Sequence, residues 1–126
     1  MKYAIRITKK AEQDINEAAD YIEFTLMNPK AANDLLEDID EEINSLASKP
    51  ERYRIVNDPV LEAWEIRLTV INNYIAFYRI NEKNRTVEII RFLYGKRNWI
   101  SILSKELPDV DLTVGIKKKD NTNNLI

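Results

Sequence analysis

Cysteine and histidine are both missing from this chain. Without cysteine there is no disulfide, no thiolate nucleophile and no sulfur ligand for a soft metal. Without histidine, the commonest general base, the commonest metal ligand and every histidine-containing triad are excluded. Glycine is scarce as well. Gly95 and Gly115 are the only two, twenty residues apart, so no glycine-rich phosphate loop can form. No apolar run approaches the length of a membrane span, and Met1-Lys2-Tyr3-Ala4-Ile5-Arg6 is too charged and too short to open a signal peptide. A cytoplasmic location is the expectation. Neither a metal nor a cofactor is expected, because the acidic residues fall in helical surface patterns rather than in ligand clusters.

What is present describes one soluble domain. The chain has 126 residues, 44% of them apolar and 32% charged, enough for a single core of ordinary composition. The net charge of −2 argues against a nucleic-acid binder taken alone. Its distribution is uneven: residues 11–49 hold eleven acids against two cations, whereas residues 50–104 hold nine cations against six acids. Local asymmetry of this kind, not the total, is what a charged partner meets.

Read in order, Lys2–Thr8 alternates as a first strand, and Thr8 stands where a helix N-cap would. Ala11, Ile15, Ala18, Ala19, Ile22 and Leu26 recur at helical spacing over Lys9–Met27. Asn28-Pro29 ends that helix and starts another, Pro29–Ser48, striped by Ala32, Leu35, Leu36, Ile39, Ile43 and Leu46. The two form an αα-hairpin whose outer acids, Asp14 among them, read as a solvated face. Residues 50–63, with two prolines, read as a loop. Trp64–Val70, Tyr74–Ile80 and Val87–Tyr94 are β-rich runs joined by short Asn-containing links, an antiparallel meander. Asn98 caps a short helix ended by Pro108. The predicted fold is α+β, with the hairpin on one face of an antiparallel sheet that includes the first strand, and the short helix at the end. Residues 1–107 are the domain. Residues 108–126 are an extension, strand-like over Val110–Ile116 and then a frayed tail. In the first meander run Trp64, Ile66, Leu68 and Val70 alternate with Glu65, Arg67 and Thr69, so an uncovered sheet face is expected to carry Glu65 and Arg67.

The residues that could carry chemistry are cationic: Arg67, Arg79, Arg91, Lys96 and Arg97, interleaved with Tyr74, Tyr78, Phe92, Tyr94 and Trp99. Arginine beside exposed aromatics on an open sheet suits single-stranded nucleic acid, because phosphates take the charge and bases stack on the rings. The alternative places the aromatics in the core and pairs the arginines with Glu65, Glu82 and Glu88.

Several fragments stand in a fixed order: Ala11-Glu12-Gln13-Asp14-Ile15 and Tyr21-Ile22 on a first helix, Asn28-Pro29 with Ala31-Ala32 opening a second, then Pro50-Glu51-Arg52. Ile66-Arg67-Leu68, Asn73-Tyr74, Phe77-Tyr78 and Leu93-Tyr94-Gly95-Lys96-Arg97-Asn98 follow. Over residues 2–104 this order resembles the RelE/ParE toxins of type II toxin–antitoxin systems, proteins linked to plasmid stabilization. The resemblance implies a compact α+β toxin and a cognate antitoxin as partner. It also implies one of two activities: RelE-like cleavage of mRNA on the ribosome as a metal-independent endoribonuclease (an mRNA interferase), or ParE-like poisoning of DNA gyrase without nuclease activity. A third reading is a non-toxic binding module, its toxicity lost.

Residue by residue, Arg67 matches a basic position of the ribonucleases and Arg97 matches an arginine that contacts the scissile phosphate. Glu65 stands where a lysine is usual, and Ile75 where an arginine is. Ser101, Ile102 and Leu103 occupy the region of the ribonuclease C-terminal catalytic tyrosine or histidine. The candidate catalytic set is Arg67, Arg97, Glu65 and Tyr94. The two arginines would stabilise a pentavalent phosphate, and Glu65 or Tyr94 would exchange the proton. Lys96, Arg91 and Arg79 are candidate nucleic-acid contacts, and Trp99 is the candidate anchor for the antitoxin.

Overall fold

The computed structural model describes residues 2–107 of the chain. The expected strand over Val110–Ile116 lies outside the described residues. Strand β1 (Ala4–Ile7) leads directly into helix α1 (Lys9–Asp20), and Thr8 makes the join. Its hydroxyl oxygen accepts from the Ala11 N–H at 3.1 Å, and the hydroxyl donates to the Ile90 carbonyl at 3.1 Å. One side chain therefore caps the helix and ties it to the sheet. After Asp20 the helix widens into a π turn, Tyr21–Thr25. Helix α2 (Pro29–Ser45) starts at Asn28, whose side chain accepts from the Ala31 N–H at 3.1 Å, with Pro29 at the first helical position.

Residues 50–63, expected as a loop, contain a 3-10 turn (Pro50–Arg52) and a short helix, α3 (Pro59–Ala63). Strands β2 (Arg67–Ile71), β3 (Tyr74–Asn81) and β4 (Thr86–Tyr94) form the meander, and α4 (Trp99–Glu106) closes the described chain. The sheet order is β1-β4-β3-β2. The two meander pairings are antiparallel, but β1 runs parallel to β4, Ala4 facing Thr86 and Ile7 facing Ile89. The sheet is thus mixed rather than antiparallel throughout. Alternation marks a strand but carries no direction, and a strand separated from its partner by the whole helical layer is free to pair in parallel.

Both faces of the sheet are covered. On one, Ala11, Ile15, Leu35, Ile39 and Ile43 of the hairpin pack on Ala76, Tyr78, Val87, Ile89 and Phe92. Tyr78 is fully buried there and donates to the Pro50 carbonyl at 2.6 Å; burial pushes its phenol up to about 12. On the other face Ile75, Phe77, Ile90 and Leu93 form a second core with Val56, Leu61, Leu103 and Leu107, and with Trp64 and Trp99 half-buried at its border. Each large side chain buried this way stabilises the fold by about 1.5–3 kcal/mol, so this face is core and not an open platform.

Three details differ from the expected pattern. Strand β2 begins at Arg67, not Trp64. Thr69 and Ile71 face the hairpin, Thr69 donating to Glu42 Oε2 at 2.8 Å, while Val70 is 63% exposed. By alternation Arg67 lies on the hairpin side too, rather than on an uncovered face. Leu36, expected in the core, is exposed at the border of the hairpin stripe.

Candidate functional site

The turn after β4 and the β2–β3 turn are locked together. Asn72 adopts φ 55° in the tight link between Ile71 and Tyr74, and its side chain donates to Asp38 Oδ2 at 3.2 Å. Asparagine tolerates this left-handed conformation better than most residues. Across from it the Gly95 N–H donates to the Asn73 carbonyl at 2.8 Å. A Cβ at Gly95 would stand 3.2 Å from that carbonyl oxygen, so glycine is what allows the two turns to close on one another.

Above these turns a cleft of about 710 Å³ opens between the far end of the sheet and the second half of α1 with its π turn. That volume is within the range of ligand and peptide sites. Its floor is aromatic. Tyr74 stacks on Phe92 with ring centroids 4.9 Å apart, and Tyr94 meets Tyr74 edge-on at 5.7 Å. Tyr21, Ile22 and Leu26 form the opposite wall, and Arg97 stands at the rim. Burial, and then the neighbouring Tyr94 and Tyr21 hydroxyls, hold the Tyr74 phenol above its ordinary value, so it stays protonated at neutral pH. At the deep end Asp14 receives two hydrogen bonds from Arg91, at 2.6 and 3.0 Å, and one from the Phe92 N–H at 3.0 Å. The guanidinium also donates to Glu106 of α4. Burial alone would lower the Arg91 pKa, but the bond and charge of Asp14, with Glu106, more than offset it and hold the group above its usual value.

The sequence-derived candidates are scattered across this frame. Tyr94 and Arg97 share the cleft, and Lys96 is exposed beside them. Arg67 does not join them. Its guanidinium donates to the carbonyls of Tyr53 at 2.6 Å and Glu51 at 3.3 Å. Arg67 faces Tyr78, whereas the Arg97 turn follows Tyr94, which faces Tyr74. Arg67 and Tyr94, the residue from which that turn departs, therefore stand about 13 Å apart along the sheet and about 10 Å across it. Glu65 is exposed at φ 58° between α3 and β2. Arg79 and Arg91 are interior residues: Arg79 is 8% exposed, lies 3.8 Å from Glu88 and donates to the Trp64 carbonyl at 3.2 Å, while Arg91 is 5% exposed within the Asp14–Glu106 pair. A buried guanidinium needs such partners, and these positions offer no free charge to a nucleic acid. Trp99 packs on Phe77, 5.2 Å between ring centroids, at the edge of the second core.

Sequence reasoning missed the Asp14 anchor and the cleft that Tyr21 and Tyr74 line together. Asp14 had a signal: it lies one helical step from Ala11, Ile15 and Ala18, on the buried stripe rather than opposite it. Among the described residues no cluster of acidic side chains is arranged to hold a metal, and no helix is long and apolar enough to cross a membrane.

Residues 5–99 match the family described as the ParE toxin of the type II toxin–antitoxin system parDE. Among solved structures, the chain is similar to the chromosomal ParDE toxin–antitoxin system of P. aeruginosa, at 20% identity and a TM-score of 0.61, over 75% of this chain and 98% of that one. It is also similar to the RelBE2 toxin–antitoxin complex of Mycobacterium tuberculosis, at 20% identity and a TM-score of 0.52, over 75% and 99% of the two chains. No curated protein sequence matches significantly. At these identities the structural likeness speaks for a shared α+β fold.

Proposed function

The chain belongs to the ParE toxin family of type II toxin–antitoxin systems, and we propose that it acts in the ParE-like manner, inhibiting DNA gyrase through protein contact without cutting RNA. A cognate antitoxin holds it harmless until then, as in the toxin–antitoxin complexes it resembles in fold. The observation that carries the reading is the dispersal of its cations. Metal-free RNA cleavage by a site without histidine needs positioned cations around one phosphate. Here Arg79 and Arg91 are buried in ion pairs, and Arg67 is held on two backbone carbonyls outside the cleft that Arg97 lines. Ile75, at the position where the ribonucleases carry an arginine, is in the second core beside Leu93, with Trp99 packed against that core. Arg97 and Tyr94 remain, with the exposed Lys96 beside them, which suits a contact surface better than a catalytic set.

The test pairs two assays. Purified protein added to gyrase, relaxed plasmid and ATP should block supercoiling, and Arg97→Ala should weaken the block with the fold intact, since the residue is exposed. Primer extension on translating ribosomes should show no new mRNA ends. The RelE-like reading, in which Arg97, Arg67, Glu65 and Tyr94 act on RNA, rests on Arg97 and Tyr94 sharing one cleft. Undisturbed supercoiling together with mRNA cuts that vanish in Arg97→Ala would establish it instead.

A further inference from the structure

Tyr21, Phe24, Leu26 and Met27 are four of the ten exposed large hydrophobic residues among those described, and they fall within seven consecutive positions at the tip of the hairpin. Hydrophobic residues scattered singly over a surface need no explanation, but a cluster marks an interaction site. None of the five residues of the π turn is buried, and widened turns of this kind are concentrated at functional sites. The backbone beside it is strained. The Asn28 N–H donates to the Ile22 carbonyl at 3.0 Å, the long bond that closes a helix end around a left-handed residue, and Met27 takes that place at φ 54°. Glycine adopts this conformation freely, whereas a residue with a Cβ does not. At 82% exposure the Met27 side chain returns almost no packing to the fold.

The charge around the tip states what it would meet. Residues 11–29 hold five acids and no lysine or arginine; Asp20 precedes Tyr21, and Glu23 precedes Phe24. The first cation beyond the tip, Lys30, pairs with Asp34 at 3.0 Å. Apolar side chains set among carboxylates fit an apolar pocket bordered by lysine or arginine. A second copy of the chain offers no such pocket at the same surface, because tip against tip brings like charges together. Tyr21 and Leu26 also line the cleft that Arg97 shares, so the tip continues the surface read above as the contact with gyrase.

We infer that the hairpin tip is the part of the toxin that enters gyrase. Phe24 and Met27 fill an apolar pocket of that enzyme, and Asp20 and Glu23 meet the cations at its border. This rests on the gyrase reading and extends the contact from the cleft to the end of the hairpin.

Met27→Gly separates the surface from the fold. It removes an exposed side chain and relieves the left-handed backbone, so it should raise the thermal midpoint while weakening the block of supercoiling. A purely structural role would move stability and inhibition in the same direction. With Phe24→Ala added, at least about tenfold more protein should be needed for half-inhibition; if the double variant melts below the parent, Met27→Gly alone decides. In the full-length chain, a photoreactive benzoylphenylalanine in place of Phe24 should crosslink to a gyrase subunit in the presence of relaxed plasmid and ATP. Variants that inhibit as strongly as a parent that does inhibit, or crosslinks confined to the toxin's own chain or a second copy, would overturn the proposal and leave the gyrase reading standing. A parent protein that leaves supercoiling undisturbed removes the gyrase reading itself, and this proposal with it.

Discussion

At the scale of single residues, Arg91 decides how the molecule is held together. Its guanidinium reaches Asp14 on the hairpin side of the sheet and Glu106 on the other, so one side chain joins α1, β4 and α4. Desolvating an arginine is costly, and the cost is offset only while the carboxylate geometry is complete. Asp14 also accepts the Phe92 N–H, so Asp14→Ala would leave three N–H donors without their acceptor, two from Arg91 and one from Phe92. The expected loss is about 3–5 kcal/mol in urea unfolding, against a much smaller change for Asp20→Ala on the exposed face of the same helix. Replacing both Asp14 and Arg91 with leucine should cost less than Asp14→Ala alone, because no uncompensated charge is then buried. A single Asp14→Ala variant as stable as the parent would show that the pair is not what anchors α1. The pair was not legible from sequence. Arg91 reads there as a nucleic-acid contact and Asp14 as one more surface acid among eleven in residues 11–49. Composition of the segment outweighed the position of the residue within its stripe.

At the scale of elements, the long ones were legible and the short ones were not. The hairpin announces itself through repeated 3.6-residue spacing and the Asn28-Pro29 boundary, and α1 and α2 follow that pattern. Helix α3 spans only Pro59–Ala63, too short for any periodicity. Its sole signal was local: Asp58 accepts from the Leu61 N–H at 3.2 Å and Pro59 takes the first helical position. Its end explains Glu65. The Ile66 N–H donates to the Leu61 carbonyl at 3.0 Å and the Glu65 N–H to the Glu62 carbonyl at 2.9 Å. These are the two bonds of a Schellman motif, with Glu65 in the left-handed position that ordinarily goes to glycine. The strained backbone thus has a helix-ending role, independent of any role for the carboxylate. Glu65→Gly should stabilise the protein by about 1 kcal/mol, by removing the left-handed penalty on a residue with a Cβ. Thermal unfolding would read this as a raised midpoint. A lowered midpoint would mean that the Glu65 side chain contributes more to the fold than its backbone conformation costs.

At the scale of the whole molecule, the presence of a sheet with a helical hairpin was legible from alternation and helical spacing, but the count of its layers was not. Strands β3 and β4 are apolar on both faces, which reads equally as a central strand in a half-open sheet or as one buried on both sides. The cover for the second face comes from α3, read as loop, and α4, read as an appendage. That cover is why Ile75 and Trp99 are core neighbours rather than parts of an open nucleic-acid platform. The two cores share one sheet and are bridged by Arg91, so they should fail together. Both tryptophans, Trp64 and Trp99, border the second core, and their fluorescence reports that layer alone. Far-ultraviolet circular dichroism is dominated by α1 and α2, the longest helices, and reports the first layer. In urea the two signals should trace one coincident transition, as a cooperative single domain requires. Arg91→Met keeps the stem of the side chain but removes the charge that holds both Asp14 and Glu106. In that variant both transitions should move to lower urea, because Asp14 is left buried without its partner. The fluorescence should move ahead of the dichroism, as α4 loses its tie to the sheet while the hairpin keeps its apolar core. Coincident transitions in the variant would mean that apolar packing alone couples the layers, and separate transitions in the parent would mean that the two faces fold as independent units.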